Sequence, residues 1–198
     1  MQATTTVRAR KSRETRQRLE ETALRLFRSR GFDQVTVEDI CREAHVGPAT
    51  FYRHFGTKED VLFAYRSEFT AAMVRAVASA PADAPRGKQL EHILMSFAHF
   101  LESQADVLAL RDGIVVDHEG LMRGTVAVQR EVEAKLATGL AELRGLPEPD
   151  DALLAEAAVA IVVLRMAVRA WRAQRRASLA EATTAAYAQV REALRSGD

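Results

Sequence analysis

A single cysteine, Cys41, in 198 residues excludes an internal disulfide framework and suits a reducing cytoplasm. No apolar run reaches the ~18 residues that a membrane helix requires; the longest, Ala157 to Leu164, is closed by Glu156 and Arg165. Positive charge near the N-terminus has no apolar segment after it, which argues against a secretory signal. Alternation of apolar and polar residues is scarce, so strands are not expected, and the short Gln34–Val37 stretch reads better as a helix entry. Glycine-rich phosphate loops are lacking, since Gly87, Gly113 and Gly120 stand alone. No grouping of Ser, Cys, His and carboxylate points to an activated nucleophile. What remains is an ordinary soluble composition, 47% apolar and 28% charged, with length enough for a small domain joined to a larger one.

Charge is nearly balanced overall, at +1, but it is unevenly spread. Residues 1–30 hold nine Lys or Arg against three Glu, a balance of +6, so the rest must sum to −5. Arg8, Arg10, Lys11, Arg13, Arg16 and Arg18 form one basic run. Alone, such a run reads as a solvated tail. Beside a second nucleic-acid signal it reads as a contact for a polyanion, because each phosphate neutralised releases condensed counterions.

Beyond that tail almost every segment carries a helical pattern. Leu19, Ala23, Leu26 and Phe27, at i, i+4, i+7 and i+8, predict a first helix over about 12–30. Gly31 supplies its left-handed C′ position, with Phe32 packing behind it. Thr36 is a good N-cap for the second helix, with Glu38 and Asp39 in the positive first turn and Val37, Ile40, Cys41 and Ala44 facing inward. His45 falls where the turn needs positive φ, which histidine tolerates better than most non-glycine residues. Gly47 as N-cap and Pro48 as N1 open a third helix. A long fourth helix is expected over about 57–79, then a Pro- and Ala-rich linker at 81–87. Helices over about 88–103, 106–116, 121–144, 150–175 and 178–195 follow, with a Gly-Leu-Pro-Glu-Pro turn at 145–149.

Two short helices joined by a tight turn at 36–58 form a helix-turn-helix, a unit that places its second helix in the major groove of DNA. Phe51 and Phe55, at i and i+4, anchor that helix inward and leave Thr50, Arg53 and His54 pointing away. Arg53 is the best candidate for a base edge, because its planar fork matches O6 and N7 of guanine. Tyr52 can pack its ring and reach the DNA backbone with its hydroxyl. Lys58 stands in the first turn of the next helix, where a cation opposes the dipole by ~0.3–1 kcal/mol. A bound phosphate would offset that cost.

The run Ala44-His45-Val46-Gly47-Pro48-Ala49-Thr50-Phe51-Tyr52-Arg53-His54-Phe55, followed by Thr57-Lys58-Glu59 and Leu62, resembles the signature of the TetR family of bacterial transcriptional repressors. Phe27, Gly31-Phe32 and Thr36-Val37-Glu38-Asp39-Ile40 fit the same pattern, so the likeness covers about residues 12–65. It implies an all-α fold. A flexible basic arm (1–11) would lead into an N-terminal three-helix helix-turn-helix domain (12–56), followed by a larger helical ligand-binding and dimerisation domain (57–198). It further implies a homodimer on a palindromic double-stranded DNA operator, released by a small-molecule effector. Family DNA contacts carry over to Thr36, Val37, Gly47, Ala49, Thr50, Tyr52, Arg53, His54 and Lys58. Two departures stand out. His45 replaces the usual glycine before the valine, and Gly47-Pro48-Ala49 replaces a frequent Ser-Lys-Gly, which removes a phosphate-binding lysine.

The C-terminal two thirds are less specific. From Ala157 to Leu164 the penultimate helix is apolar around its circumference, so two faces need cover. Ala155, Ala158, Val162, Arg165 and Arg169 can lie against a symmetry mate, and the last helix adds Leu179, Thr183, Ala186, Tyr187, Val190 and Leu194. Intramolecular core is the competing account of both stripes. Met95, Phe100, Met122, Val126, Met166 and Trp171 are candidates for an effector pocket, although such residues are more often plain core. His92 and His99 share a face without further ligands, so no metal site and no cofactor are expected. His118, beside Asp117 and Glu119, reads as a solvated loop histidine. An enzyme in the helical C-terminal domain, or an architectural DNA-binding protein without a ligand, are the alternative functions.

Overall fold

A computed structural model of the chain describes residues 2–116 and 118–195, and for 2–6, 116, 119 and 120 the backbone alone. Met1 of the arm, Asp117 beside His118, and 196–198 of the C-terminal domain lie outside the described residues. Among the described residues every regular element is a helix, in the order α1 (Gln2–Arg30), α2 (Val37–Glu43), α3 (Pro48–His54), α4 (Lys58–Leu62), α5 (Arg66–Ala78), α6 (Arg86–Ser103), α7 (Ala105–Val116), α8 (Glu119–Leu143), α9 (Asp151–Arg172) and α10 (Leu179–Arg195). The all-α expectation holds. Two compact units result, one of residues up to 65 with 106–125, the other of 66–105 with 126 onward.

In the first unit the α1 stripe of Leu19, Ala23, Leu26 and Phe27 is buried against Val35, Ile40, Phe51, Phe55, Val61 and Leu62. Gly31 ends α1 at φ +84, and its amide bonds Phe27 O at 2.9 Å. The lack of a Cβ at that position is what makes the left-handed ending cheap. α2 and α4 each open on a capping box, Thr36 with Asp39 and Thr57 with Asp60, which satisfies backbone N–H groups at both ends of the box. His45 does adopt positive φ, at 54°. Residues 106–125 join the same unit. Arg111, nearly closed off from solvent, pairs with Glu20 and lies 4.8 Å from the Tyr65 ring centroid.

Three expectations need correction. α1 begins at Gln2 rather than near Ser12, so the basic run sits on a helix instead of a flexible arm. No Pro or Gly interrupts residues 2–11, and an Arg10–Glu14 pair at i, i+4 supports the turn. The single long helix expected at 57–79 is broken between α4 and α5. There Phe63 N and Ala64 N turn to the carbonyls of Asp60 and Val61, three residues back. The break directs Phe63 onto Gly124, where any Cβ would lie 2.2 Å from the ring. His118 is no solvated loop residue. Its Nδ1 lies 2.7 Å from Ile114 O, its Nε2 3.3 Å from Asp33, and its ring meets Phe32 edge-on.

The second unit packs α10 on α9 and α6, and α5 on α6. Met73, Ile93, Leu94, Leu136, Leu140 and Leu179 fill its core. Gly139 lets α8 approach Val77 of α5 to within 2.9 Å of a would-be Cβ. Gln89 is buried and donates to Pro81 O and Ala82 O, which fastens the linker before α6. Glu102 accepts the Leu179 amide at the start of α10, and Tyr187 donates to Gly87 O. α9 opens on Asp150, whose carboxylate caps Leu153 N at 2.9 Å. Arg144 holds Glu156 through two bonds of 2.6 and 2.7 Å, with the arginine side chain 8% exposed.

That fork–fork pair generates a prediction. Glu156→Ala strands a buried guanidinium and is expected to cost about 3 kcal/mol, at the low end for a broken buried pair because Glu156 keeps some exposure. Replacing both partners by apolar residues should cost distinctly less. Urea denaturation of the two variants makes the comparison, and equal losses would contradict it.

Candidate nucleic-acid interface

α3 is seven residues long, too short to be stable in water by itself. Gly47 caps it in extended conformation, Pro48 presets its first φ, and Thr50 N closes on Gly47 O at 2.9 Å. Phe51 and Phe55 are 0% and 3% exposed, with ring centroids 5.5 Å apart. Arg16 braces the far end of the helix. Its Nη1 donates to His54 O at 2.9 Å while its guanidinium lies 4.5 Å from the Phe55 centroid. A cation at a helix C-terminus also complements the dipole.

With the apolar side held, helical spacing presents the opposite side to solvent. Tyr52 is 55% exposed, and Gly47, Ala49 and Arg53 are exposed beside it. Thr50 is half-buried at the edge of this face. α3 holds no carboxylate, and two basic residues occupy its last turn. Thr36 is exposed at the start of α2, where its hydroxyl accepts from Asp39 N, while Val37 packs on the core. Hydrogen bonds from the Thr36 amide and then its hydroxyl hold the Asp39 carboxyl below the usual carboxylate range.

Two residues expected on the outer face are turned inward. Lys58 Nζ donates to Phe32 O at 2.9 Å and Val35 O at 3.0 Å and lies 4.4 Å from the Phe32 centroid. It ties α4 to the α1–α2 loop, and this contact absorbs the charge that the sequence left for a phosphate. His54 is half-buried, and its Nε2 is enclosed without a protein hydrogen-bond partner. Burial, then Arg53 and Arg16, lower its pKa from 6.5. Arg16 itself was legible only as one member of a basic run, because its partners lie 38 residues away.

The six residues named for an effector pocket are not gathered. Met122, 48% exposed, belongs to the first unit and the other five to the second. Phe100 joins Phe69 and Phe97 in an aromatic cluster, Met95 Sδ accepts from Thr184, Val126 is exposed, and Trp171 is half-buried. Met166 lines a groove of about 510 Å³ between α9 and α10, together with Arg169, Arg175, Arg176 and Gln189. A second groove of about 290 Å³ lies between α5 and α8, with Val74, Val77, Lys135 and Glu142 on its walls. Among the described residues no cluster of His, Cys, Asp and Glu is placed to hold a metal ion, and no helix is long and apolar enough to cross a membrane.

Lys58→Met keeps the alkyl stem but leaves two carbonyls without their donor. It is expected to lower the stability of DNA-free protein by about 1.5–3 kcal/mol, measurable by thermal denaturation. For His54 the sign follows from the depressed pKa. The unfolded chain takes up the proton more readily, so this contribution to stability is present above pH about 6.5 and lost as pH falls through the folded value. Denaturation between pH 5 and 8 should show that slope, and His54→Gln should remove it.

The comparisons with known proteins fall on the same elements. Residues 20–65 match the model for bacterial regulatory proteins of the tetR family. The HTH-type transcriptional regulator TcmR of Streptomyces glaucescens is 41% identical over 76 residues, 38% of this chain and 34% of that protein. The matched segment therefore spans about a third of that relative's length. Among solved structures, the TetR-family repressor FadR of Thermus thermophilus, in complex with lauroyl-CoA, superposes with TM-score 0.57 and 25% identity over 86% of this chain and 90% of that one. A TetR-family regulator of Mesorhizobium loti gives 0.59 at 20% identity, over 91% and 95%. Residues 20–65 are thus similar in sequence to the helix-turn-helix of bacterial regulatory proteins of the tetR family, and the helical fold that follows is similar to that of solved TetR-family regulators.

Proposed function

We propose that this protein is a sequence-specific DNA-binding transcriptional repressor that leaves a palindromic operator when a small molecule binds its C-terminal part. The observation that carries this is the seven-residue α3, seated by Phe51 and Phe55, with Tyr52 and Arg53 exposed on its free side. Arg53 reads a guanine edge, Tyr52 and Thr50 contact bases or backbone, and Thr36, Val37, Gly47 and Ala49 bring backbone and small side chains close to phosphate. Lys58 and His54 support this surface from behind. Residues 12–56 act as the reading head, and 57–198 regulate and dimerise. The protein works in the cytoplasm and catalyses no reaction.

A homodimer supplies the second half-site. Leu154, Val162 and Met166 form an exposed apolar stripe along α9, at 49%, 41% and 36% exposure, with Ala155 beside it. The helix begins with Asp150 and Asp151 and ends with Arg165, Arg169 and Arg172. Antiparallel pairing with the same helix of a second copy sets acidic starts beside basic ends and buries the stripe, as an isologous contact requires. The effector is a small apolar or amphipathic compound held by the second unit, where Met95, Phe100, Val126, Met166 and Trp171 are the candidate contacts. The lauroyl-CoA held by the Thermus repressor is an amphipathic molecule of this kind.

The protein is expected to enrich a palindrome from randomised duplexes. Arg53→Ala should cost about 1–3 kcal/mol of binding and relax the preference at one base pair per half-site, as read by equilibrium titration of matched and substituted duplexes. Complete lack of salt-sensitive binding to duplex DNA would remove the basis for this function.

A further inference from the structure

The outer face of α3 is chemically sparse. Pro48, Ala49, Tyr52 and Arg53 are exposed, and Thr50 stands half-buried at the edge. Lys58 and His54 are turned inward, which leaves Arg53 to supply the charge of this face. The helix contains no carboxylate and no carboxamide. Pro48 has no amide hydrogen to satisfy, and its ring is an apolar surface. Helical spacing sets Pro48 one turn before Tyr52 and Ala49 one turn before Arg53, so apolar carbon adjoins the guanidinium.

Each base edge in the major groove asks for something different. Guanine offers two acceptors, adenine and cytosine each carry an amino donor, and thymine carries a methyl group beside an acceptor. Arg53 answers guanine. An amino group calls for a carboxylate or a carboxamide, and α3 holds neither. Closing Pro48 and Ala49 over an amino group would leave a buried donor unsatisfied, which costs more than an ordinary hydrogen bond returns. Closing them over a thymine methyl buries apolar surface on both sides and strands nothing. The hydroxyls of Tyr52 and Thr50 both donate and accept, so they do not choose between bases.

We propose that Pro48 and Ala49 read thymine methyl groups, so that each half-site of the operator sets a T·A pair close to the guanine taken by Arg53. A helix laid in the major groove brings its leading side chains to base edges. One turn of α3 rises roughly 6 Å, about two base-pair steps, so the two bases stand within about three base pairs of one another. The inference rests on the DNA-binding function proposed above and adds to it which base edges are read. The run Gly47-Pro48-Ala49, without the lysine noted earlier, exchanges a phosphate contact for an apolar one.

The test uses the full chain and the palindrome enriched above. Deoxyuridine replaces each thymine of a half-site in turn, which removes the methyl and keeps every hydrogen-bonding group. In a second series 7-deazaguanine replaces each guanine, which removes the N7 acceptor. For wild type, deoxyuridine at one position or two neighbouring ones should weaken equilibrium binding about fourfold, the worth of one buried methyl. Replacing the guanine within about three base pairs of it should weaken binding about fivefold or more. The double variant Pro48→Ser/Ala49→Ser, altered at exposed positions, should bind thymine and deoxyuridine duplexes alike and keep the 7-deazaguanine loss. Arg53→Ala should do the reverse. A deoxyuridine series that leaves wild-type affinity unchanged overturns the methyl contact, needs no variant to do so, and leaves the guanine reading in place. A deoxyuridine loss that persists in the double variant puts the methyl contact on other residues and also overturns it. If no palindrome is enriched, the DNA-binding function itself falls.

Discussion

Two phenylalanine rings, Phe51 and Phe55, one helical turn apart and shut away from solvent, hold α3 where it is. Seven residues cannot sustain a helix in water, so both its existence and its direction derive from this attachment. Once the rings are seated, the 3.6-residue period leaves Tyr52 and Arg53 on the free side. Surrounding charges reinforce the seat. Arg16 closes the C-terminal carbonyl of α3 and lies on the Phe55 ring, and Lys58 clamps the α1–α2 loop over Phe32. Cations that a sequence assigns to phosphate are in part internal braces, and the proposed recognition surface depends on them indirectly.

The first unit is completed from far along the chain. Arg111 of α7 reaches Glu20 of α1 and lies on Tyr65, His118 meets Asp33 and Phe32, and Gly124 of α8 receives the Phe63 ring. A nearly buried arginine is tolerable only with its carboxylate in place, so loss of either partner would be strongly felt. The helix break at Phe63–Tyr65 belongs to the same arrangement, since it is what delivers Phe63 to the gap that Gly124 leaves.

In the second unit, α9 serves inward and outward at once. Ala157, Ala160, Val163 and Ala167 are buried, whereas Leu154, Val162 and Met166 remain open. The small residues on the inner side permit close packing with α10, and the larger ones outside form the stripe proposed for a second copy. Arg169, Arg175 and Arg176 rim the groove at the end of these helices. Gln174, at positive φ, ends α9 three residues earlier than its pattern suggests and turns the chain into α10.

Read alone, the chain determined the helical class, most helix boundaries to within a few residues, the N-caps of α2 and α3, the positive-φ turn at His45, and the inward pair Phe51 and Phe55. These follow from local causes, apolar period, cap chemistry and proline placement, each visible within a few positions of sequence. The inward turn of Lys58 and His54, the helical state of residues 2–11, the interruption after Leu62, the assignment of 106–125 to the first unit and the scattering of the candidate pocket residues were decided only by the tertiary structure. Most of these depend on a neighbour tens of residues away or on which of several polar partners a flexible side chain reaches first, and local pattern carries no record of either.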